Sequence, residues 1–192
     1  MFRLSRRRPE NDAALSLYRS LVEKARAPAF YSDFGVPDTV DGRFDMIVIH
    51  AMLVMRRLRG GGARADAVGQ ALFDLMFKDM DQSLRELGVG DMSVGKHIKR
   101  MAKAFYGRAE VHETALESAI ASGETLALEN ALRETLFRRA ETTPHALQAI
   151  AAYIQRADRH VGAQPIDRLI AGGVDFEIPV REREPHAVSA SA

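Results

Sequence analysis

The sequence predicts an all-α protein, and three features support this fold class. Apolar residues recur at steps of three and four from Asn11 to about Gly172, which is the period of helices with one buried face. No pair of alternating runs is joined by a short glycine turn, so the sequence carries no sign of a β-hairpin. Runs of β-branched residues are few. We therefore expect a single multi-helix bundle of about seven helices, formed by residues 11–172.

An aromatic connector separates the first two predicted helices. Asp12 is suited to cap the first helix. The connector AFYSDFGVPDT follows at 29–39, and Asp38 or Thr39 is placed to cap the second helix at about 40–59. Apolar residues cover nearly every side of the second helix, which predicts that it lies in the middle of the bundle.

The later periodic segments complete the predicted bundle. A third helix, at about 64–87, ends before Gly88, where a glycine can adopt the left-handed conformation. A fourth helix begins near Ser93 and has a basic polar face. Further helical segments are expected at about 110–121, 125–139 and 144–161.

Both ends of the chain are expected to be tails outside the helical domain. Residues 1–10 are rich in arginine but lack the apolar stretch of a secretory signal, which predicts a disordered basic tail. Residues 173–192 predict an extended or disordered C-terminal tail: the weak alternation of VDFEIPV allows an extended strand along the bundle, whereas the last dozen residues have too little apolar content to pack. No segment approaches the ~20 apolar residues that a membrane span requires. A cytoplasmic bacterial protein is the expectation.

Charge is divided unevenly along the chain. Residues 1–108 contain 19 Lys and Arg against 13 Asp and Glu, whereas residues 109–192 contain 8 against 13. The basic half is therefore the side expected to contact an anionic partner. The candidates for this contact lie on the polar face of the fourth helix: Lys96, Lys99, Arg100 and Lys103.

Standard motifs for catalysis or cofactor binding are missing from the sequence. The chain has no cysteine, which excludes disulfides, thiolate metal sites and a cysteine nucleophile. His112 and Glu113 lack the second histidine, one turn later, that a zinc site would need. His50 lies in an apolar helix, where a hydrogen-bonded core histidine is expected more often than a haem ligand. We expect no enzymatic activity, no metal and no cofactor.

Three separated motifs carry a resemblance to a known family. They are AFYSDFGVPDTVDGRFD at 29–45, FKDMDQSLRELGVGD at 77–91 and MAKAFYGR at 101–108. Their order and spacing, over roughly residues 11–165, resemble the ubiquinol-cytochrome c chaperone family. The resemblance implies a non-enzymatic assembly chaperone that binds newly made cytochrome b and supports assembly of the respiratory ubiquinol-cytochrome c reductase.

The resemblance also implies partners and a location. The mitochondrial members of the family work with a small partner protein and contact the ribosome, and they have a long presequence, which is not expected for this chain. For this chain, the anionic partner of the basic half is then either the ribosome or an anionic membrane surface. A protein peripheral to the inner face of the cytoplasmic membrane would fit the second case.

Two groups of candidate site residues lie within these motifs, which we expect to lie close together. Met and aromatic side chains adapt to varied apolar segments, so an apolar groove for the client is expected, with core packing as the alternative role. The groove candidates are Phe30, Tyr31, Phe77, Met80, Phe105 and Tyr106. The polar candidates are Arg43, Asp45, Lys78, Asp79, Asp81 and Arg85. The alternative is that Arg43, Asp45, Asp79 and Arg85 form an internal ion-pair network that fixes the order of the helices.

A different class of function stays open from the sequence. A carrier of a quinone or an isoprenoid-like lipid would also be a helical bundle, but it would need an enclosed apolar cavity of several hundred Å³, on the order of known ligand pockets.

Overall fold

The computed structural model describes residues 8–138 and 140–177, and its regular elements are all helices. In chain order the helices are α1 (Pro9–Ala25), α2 (Pro28–Ser32), α3 (Val40–Leu58), α4 (Ala63–Glu86), α5 (Asp91–Ser122), α6 (Leu126–Glu134), α7 (Pro144–Gly162) and α8 (Ile166–Ile170). The predicted all-α fold is confirmed. Most of the predicted basic tail and the end of the predicted C-terminal tail lie outside the described residues.

Helix α3 lies at the centre of the bundle, as its sequence predicts. It packs against α1, α4, α5, α7 and α8. Twelve of its 19 residues are buried. Full burial of a large apolar side chain contributes about 1.5–3 kcal/mol, so this helix supplies much of the energy of the core.

The start of α3 is fixed by local capping. The Thr39 side chain accepts a hydrogen bond from the Gly42 amide at 3.0 Å, so Thr39 rather than Asp38 is the cap. Gly42 is also needed for space, because a Cβ atom at this position would lie 2.1 Å from the carbonyl oxygen of Pro37. The motif at 35–45 therefore folds back tightly on itself.

The predicted role of Asp12 as a cap is wrong. Helix α1 begins at Pro9, and Asp12 lies within its first turn. Proline favours the first helical position because it has no amide hydrogen to satisfy and its φ is already helical. Short helix α2, within the aromatic connector, was not expected from the sequence.

Two further boundaries differ from the prediction. The segments expected at about 93 and at 110–121 form one continuous 32-residue helix, α5. Gly107 lies within this helix, because one glycine weakens a helix by only about 1 kcal/mol and does not end it. Helix α6 ends at Glu134 instead of 139. Just after this end, Arg138 donates to the Thr135 carbonyl at 2.6 Å. That bond satisfies a carbonyl that the helix leaves free.

The last described residues lie along the bundle in an extended form, as expected for this segment. The Gln164 side chain holds Asp175 at both backbone groups, donating to its carbonyl at 2.7 Å and accepting from its amide at 2.9 Å. Phe176 is buried and its ring packs 5.2 Å from that of His50.

Candidate functional site

An aromatic cluster lies between α4 and α5. We call Phe73, Phe77, Phe105 and Tyr106 the α4–α5 aromatic cluster. Phe73 is its hub, with ring centroids 4.6 Å from Phe77, 5.7 Å from Phe105 and 5.2 Å from Tyr106. Phe77 and Phe105 are buried, whereas Tyr106 is 58% exposed. The cluster therefore has a buried base and an exposed rim.

The structure brings four of the six predicted groove residues to this region. Phe77, Phe105 and Tyr106 are in ring contact, and Met80 lies about one turn beyond Phe77 on the same helix and is also mostly buried. Phe73 was missed as a site residue. Its position four residues before Phe77 places both rings on one helix face, which is the pattern that would have identified it.

Phe30 belongs to a second aromatic cluster. It is fully buried, and its ring lies 4.9 Å from Tyr153, 5.7 Å from His50 and 5.9 Å from Phe34. Tyr31 is partly exposed, its ring packs against the core, and its hydroxyl donates to the Ala25 carbonyl at 2.8 Å. Among the described residues, no ring contact joins this cluster to the α4–α5 aromatic cluster. The six predicted groove residues thus fall into two groups.

His50 is a hydrogen-bonded core residue, as predicted. Its Nδ1 lies 2.7 Å from the Met46 carbonyl and its Nε2 lies 2.8 Å from the Tyr153 hydroxyl. Because a carbonyl can only accept, Nδ1 carries the proton and Nε2 accepts from Tyr153. Burial lowers the pKa of His50 to about 4, so the ring is neutral near pH 7.

A buried carboxylate joins α3 to two other parts of the bundle. Asp45 is fully buried and accepts hydrogen bonds from Arg108 of α5 and, at 3.0 Å, from Arg138. Arg108 also lies over the ring of Phe44, 5.2 Å from its centroid. Burial raises the pKa of Asp45 to about 6, and the two guanidinium groups limit that rise. Asp45 is thus ionised near pH 7. We call Asp45, Arg108 and Arg138 the Asp45 ion cluster.

The remaining polar candidates have separate partners. Arg43 pairs with Asp38 at 2.6 Å, and Asp79 accepts from the Tyr18 hydroxyl at 2.8 Å. Arg85 pairs with Asp81 at 2.6 Å and also with Asp91, and Lys78 is exposed. The hypothesis of one internal network formed by Arg43, Asp45, Asp79 and Arg85 is therefore wrong, because each of them faces a different partner.

The motifs nevertheless meet along one part of α5. Phe105 contacts Phe77 of the second motif, while Arg108, about one turn later, contacts Phe44 and Asp45 of the first. Arg108 and Arg138 were not identified from the sequence as partners of Asp45. They lie 63 and 93 residues away, a separation that no local pattern reports.

An open pocket of about 470 Å³ lies at the start of α3. It is lined by Pro37, Thr39, Val40, Asp41, Gly42, Leu136, Arg138 and Ala140. One wall is the motif at 35–45, and the other is the segment after α6. Arg138, which lines the pocket, pairs with Asp41 at 3.0 Å as well as with Asp45.

The predicted basic residues lie on the first half of α5. Lys96, Lys99, Arg100 and Lys103 are all exposed. Their spacing of three and four residues places them on one side of the helix. Arg100 donates to His97 Nδ1 at 2.7 Å.

Two further observations concern metals and membranes. Within the described part of the chain, no three His, Asp or Glu side chains are grouped as a metal site would require. None of the helices described here is both long enough and apolar enough to cross a bilayer.

The fold and these surfaces define the chain as a helical bundle with a half-exposed aromatic cluster next to a basic helix face. The model of the ubiquinol-cytochrome C chaperone family matches residues 32–176. The chain belongs to this family. The resemblance found in its motifs is thereby confirmed.

Relatives with known names agree with this family. The chain is 24% identical over 177 residues to the human ubiquinol-cytochrome c reductase complex assembly factor 1, and 23% identical over 176 residues to the mouse protein. Each alignment covers 92% of this chain but only 57% and 58% of the human and mouse proteins, so the chain spans less than two thirds of their length.

A solved structure resembles the fold. The crystal structure of the Cbp3 homolog from Brucella abortus superimposes with a TM-score of 0.77 at 33% sequence identity. The match covers 89% of this chain and 92% of that one.

Proposed function

We propose that this protein is a non-enzymatic chaperone that binds newly made cytochrome b and supports assembly of the ubiquinol-cytochrome c reductase. Membership of the chaperone family and the names of the human and mouse relatives support assembly of that complex. The location we propose is the cytoplasm and the inner face of the cytoplasmic membrane. A small partner protein and the ribosome are further partners in this proposal.

The observation that carries client binding is the α4–α5 aromatic cluster. Phe73 and Tyr106 offer aromatic surface at the rim, while Phe77 and Phe105 hold the rim in place from below. An aromatic surface of this kind can contact an apolar helix or loop without a fixed hydrogen-bond pattern. The partly exposed Tyr31 belongs to the proposed client surface and is supported by Phe30 in the core, while Met80 supports the aromatic cluster from its buried position.

The polar candidates have a supporting role in this proposal. The Asp45 ion cluster fixes the position of α5 relative to the first motif, and α5 carries Phe105 and Tyr106. Lys78, Asp79, Asp81 and Arg85 lie on the last turns of α4, and Arg85 pairs with Asp91 at the start of α5. The basic side chains of α5, which include Lys96 and Lys103, would hold the protein at an anionic surface.

The pocket at the start of α3 does not favour the lipid-carrier alternative. It is open to solvent, and Asp41 and Arg138 form part of its wall. A quinone or isoprenoid carrier is expected to enclose its ligand in apolar side chains.

Photocrosslinking in living cells tests client binding directly. A photoreactive amino acid at position 106 should crosslink to cytochrome b during its synthesis. The matched control is the same amino acid at position 120, where Ile120 of the same helix is 51% exposed. Equal crosslinking from both positions, or none from position 106, would refute this client surface.

A further inference from the structure

The tip of the α4–α5 hairpin extends beyond the main core. From Asp81 to Ala104, Val94 is the one buried residue in this described segment. Val94 lies apart from the main group of core residues. The end of α4 and the first half of α5 therefore present much of their surface outward, while Ile98, Met101 and Ala102 pack against the edge of the core.

An exposed stripe of Met, Lys and Tyr runs along α5. Its members follow one another at steps of four, three, four and three residues, which keeps them within about 80° of arc over about 21 Å of helix. They are Met92, Lys96, Lys99, Lys103 and Tyr106. Met92 is 93% exposed, and Val94 and Phe105 are buried on the opposite face. The exposed stripe is therefore a second face of a helix whose apolar face is already used.

The cations of this stripe are free to bind a partner. None of Lys96, Lys99 and Lys103 has a carboxylate within ion-pair distance in the part of the chain that the structure describes. The nearby carboxylates of Asp81 and Asp91 are paired with Arg85. Unpaired cations in a row create a positive surface potential that attracts anions.

Exposed apolar side chains stand at the tip end of the same stripe. Met92 begins the stripe, and Leu87, in the connection before α5, is 81% exposed. The phosphate backbone of a nucleic acid would be attracted by the lysines but would make no favourable contact with the apolar side chains of Leu87 and Met92. A lipid bilayer with anionic headgroups uses both kinds of side chain, because apolar groups enter the boundary between headgroups and acyl chains.

We propose that the α5 stripe binds the surface of a bilayer containing anionic lipids, with Leu87 and Met92 inserted and the three lysines on the headgroups. The inference rests on the proposed function, since a chaperone of a newly made membrane protein acts where its client enters the bilayer. The anionic surface that the lysines contact is, in this proposal, the layer of lipid headgroups.

Vesicle binding by the full chain provides the first test. Binding should occur to vesicles of phosphatidylcholine with phosphatidylglycerol and be weak with phosphatidylcholine alone. Lys96→Gln combined with Lys99→Gln should weaken binding at least about tenfold, because each basic residue near such a surface contributes measurably. Leu87→Ser combined with Met92→Ser should weaken it about tenfold without changing the charge.

Matched variants control for net charge and for exposed apolar area. Arg64→Gln with Arg133→Gln removes two exposed cations elsewhere. Ile120→Ser with Leu126→Ser removes two side chains that are 51% and 60% exposed. Both control variants should bind vesicles like the unchanged protein, and helix content should be the same in all variants. Equal losses in the control and stripe variants would overturn the proposal.

A single tryptophan reports insertion. The chain has no tryptophan of its own, so in Met92→Trp the tryptophan fluorescence comes from position 92 alone. Its emission should shift to the blue with phosphatidylglycerol vesicles, whereas Ile120→Trp should not shift. No shift at position 92, together with lysine-dependent binding to ribosomal RNA, would overturn the lipid proposal in favour of RNA. If the protein fails to bind vesicles but still crosslinks to cytochrome b from position 106, the lipid proposal is refuted and the proposed chaperone function is not.

Discussion

Arg138 donates a hydrogen bond to Asp45 at 3.0 Å across 93 residues of sequence. The same guanidinium pairs with Asp41 and donates to the Thr135 carbonyl. One side chain therefore joins the centre of the bundle, the start of α3 and the end of α6. Since Arg108 holds the other oxygen of Asp45, the carboxylate joins α3, α5 and the segment after α6.

Removing the carboxylate oxygens of Asp45 should destabilise the protein. Asp45→Ala takes away the hydrogen-bond acceptors of Arg108 and Arg138, and a largely buried donor left without its partner costs about 1–3 kcal/mol. We expect a loss of about 3 kcal/mol in urea denaturation for the two donors together, because both arginine side chains retain some contact with water. Asp38→Ala is the control, since it breaks an exposed pair with Arg43 and should leave stability unchanged. Similar midpoints for the two variants would show that the cluster has no such role.

Local patterns predicted those parts of the fold that depend on neighbouring residues. The central helix, its cap at Asp38 or Thr39 and the glycine end of α4 follow from periodicity and capping within a few residues. The Asp45 ion cluster depends on contacts between distant segments, so its arginines could not be paired with Asp45 from the sequence. The same reason explains why Phe30 and Phe77, both aromatic and both in motifs, fall into different clusters.

Substitutions at Phe105 and Tyr106 can distinguish a role in client binding from a role in core packing. Phe105 is 1% exposed, so Phe105→Ala should cost about 3–5 kcal/mol of unfolding free energy. Tyr106 is mostly exposed, and Tyr106→Ala should cost less than about 1 kcal/mol. If the rim binds the client, Tyr106→Ala should nevertheless reduce recovery of cytochrome b in a crosslinking pull-down. Normal recovery with Tyr106→Ala would place the client elsewhere on the protein.

Tyr31→Ala extends this comparison to the aromatic connector. The Tyr31 hydroxyl binds the Ala25 carbonyl, and its ring packs against the core while remaining partly exposed. A role in client binding predicts near-normal melting with reduced recovery of cytochrome b. A purely structural role predicts lower stability and unchanged recovery per folded molecule.

Stability should fall as pH decreases from about 7 toward 4. Burial lowers the pKa values of His50 and His112 to about 4, whereas both residues titrate near 6.5 in the unfolded chain. Between these pKa values the unfolded state binds more protons than the folded state. Each histidine therefore lowers the unfolding free energy by up to about 1.4 kcal/mol for every unit by which the pH falls. Their contribution is complete above pH 6.5 and is lost as pH falls toward 4.

Substituting one histidine isolates its share of this pH dependence. His112 is suited to the test because its Nδ1 has no hydrogen-bond partner among the described residues. His112→Leu should reduce the slope of unfolding free energy against pH between 6 and 5, by about 1 kcal/mol per unit. Asp45, whose pKa is raised, contributes with the opposite sign in both proteins and cancels in the difference. An unchanged slope would show that His112 takes up its proton in the folded state.

Loss of the protein should reduce the assembled ubiquinol-cytochrome c reductase specifically. Under growth that requires respiration, a gene deletion should lower reductase activity and the haem b absorbance, while unrelated respiratory enzymes keep their activity. Unchanged protein and a variant with Ile120→Ala, an exposed residue outside the α4–α5 aromatic cluster, should restore the reductase. Tyr106→Ala should restore it poorly despite normal amounts of folded protein, because the proposed rim would no longer hold the client. Normal haem b and reductase activity in the deletion strain would refute the assignment as a chaperone of this complex and return attention to the lipid-carrier alternative.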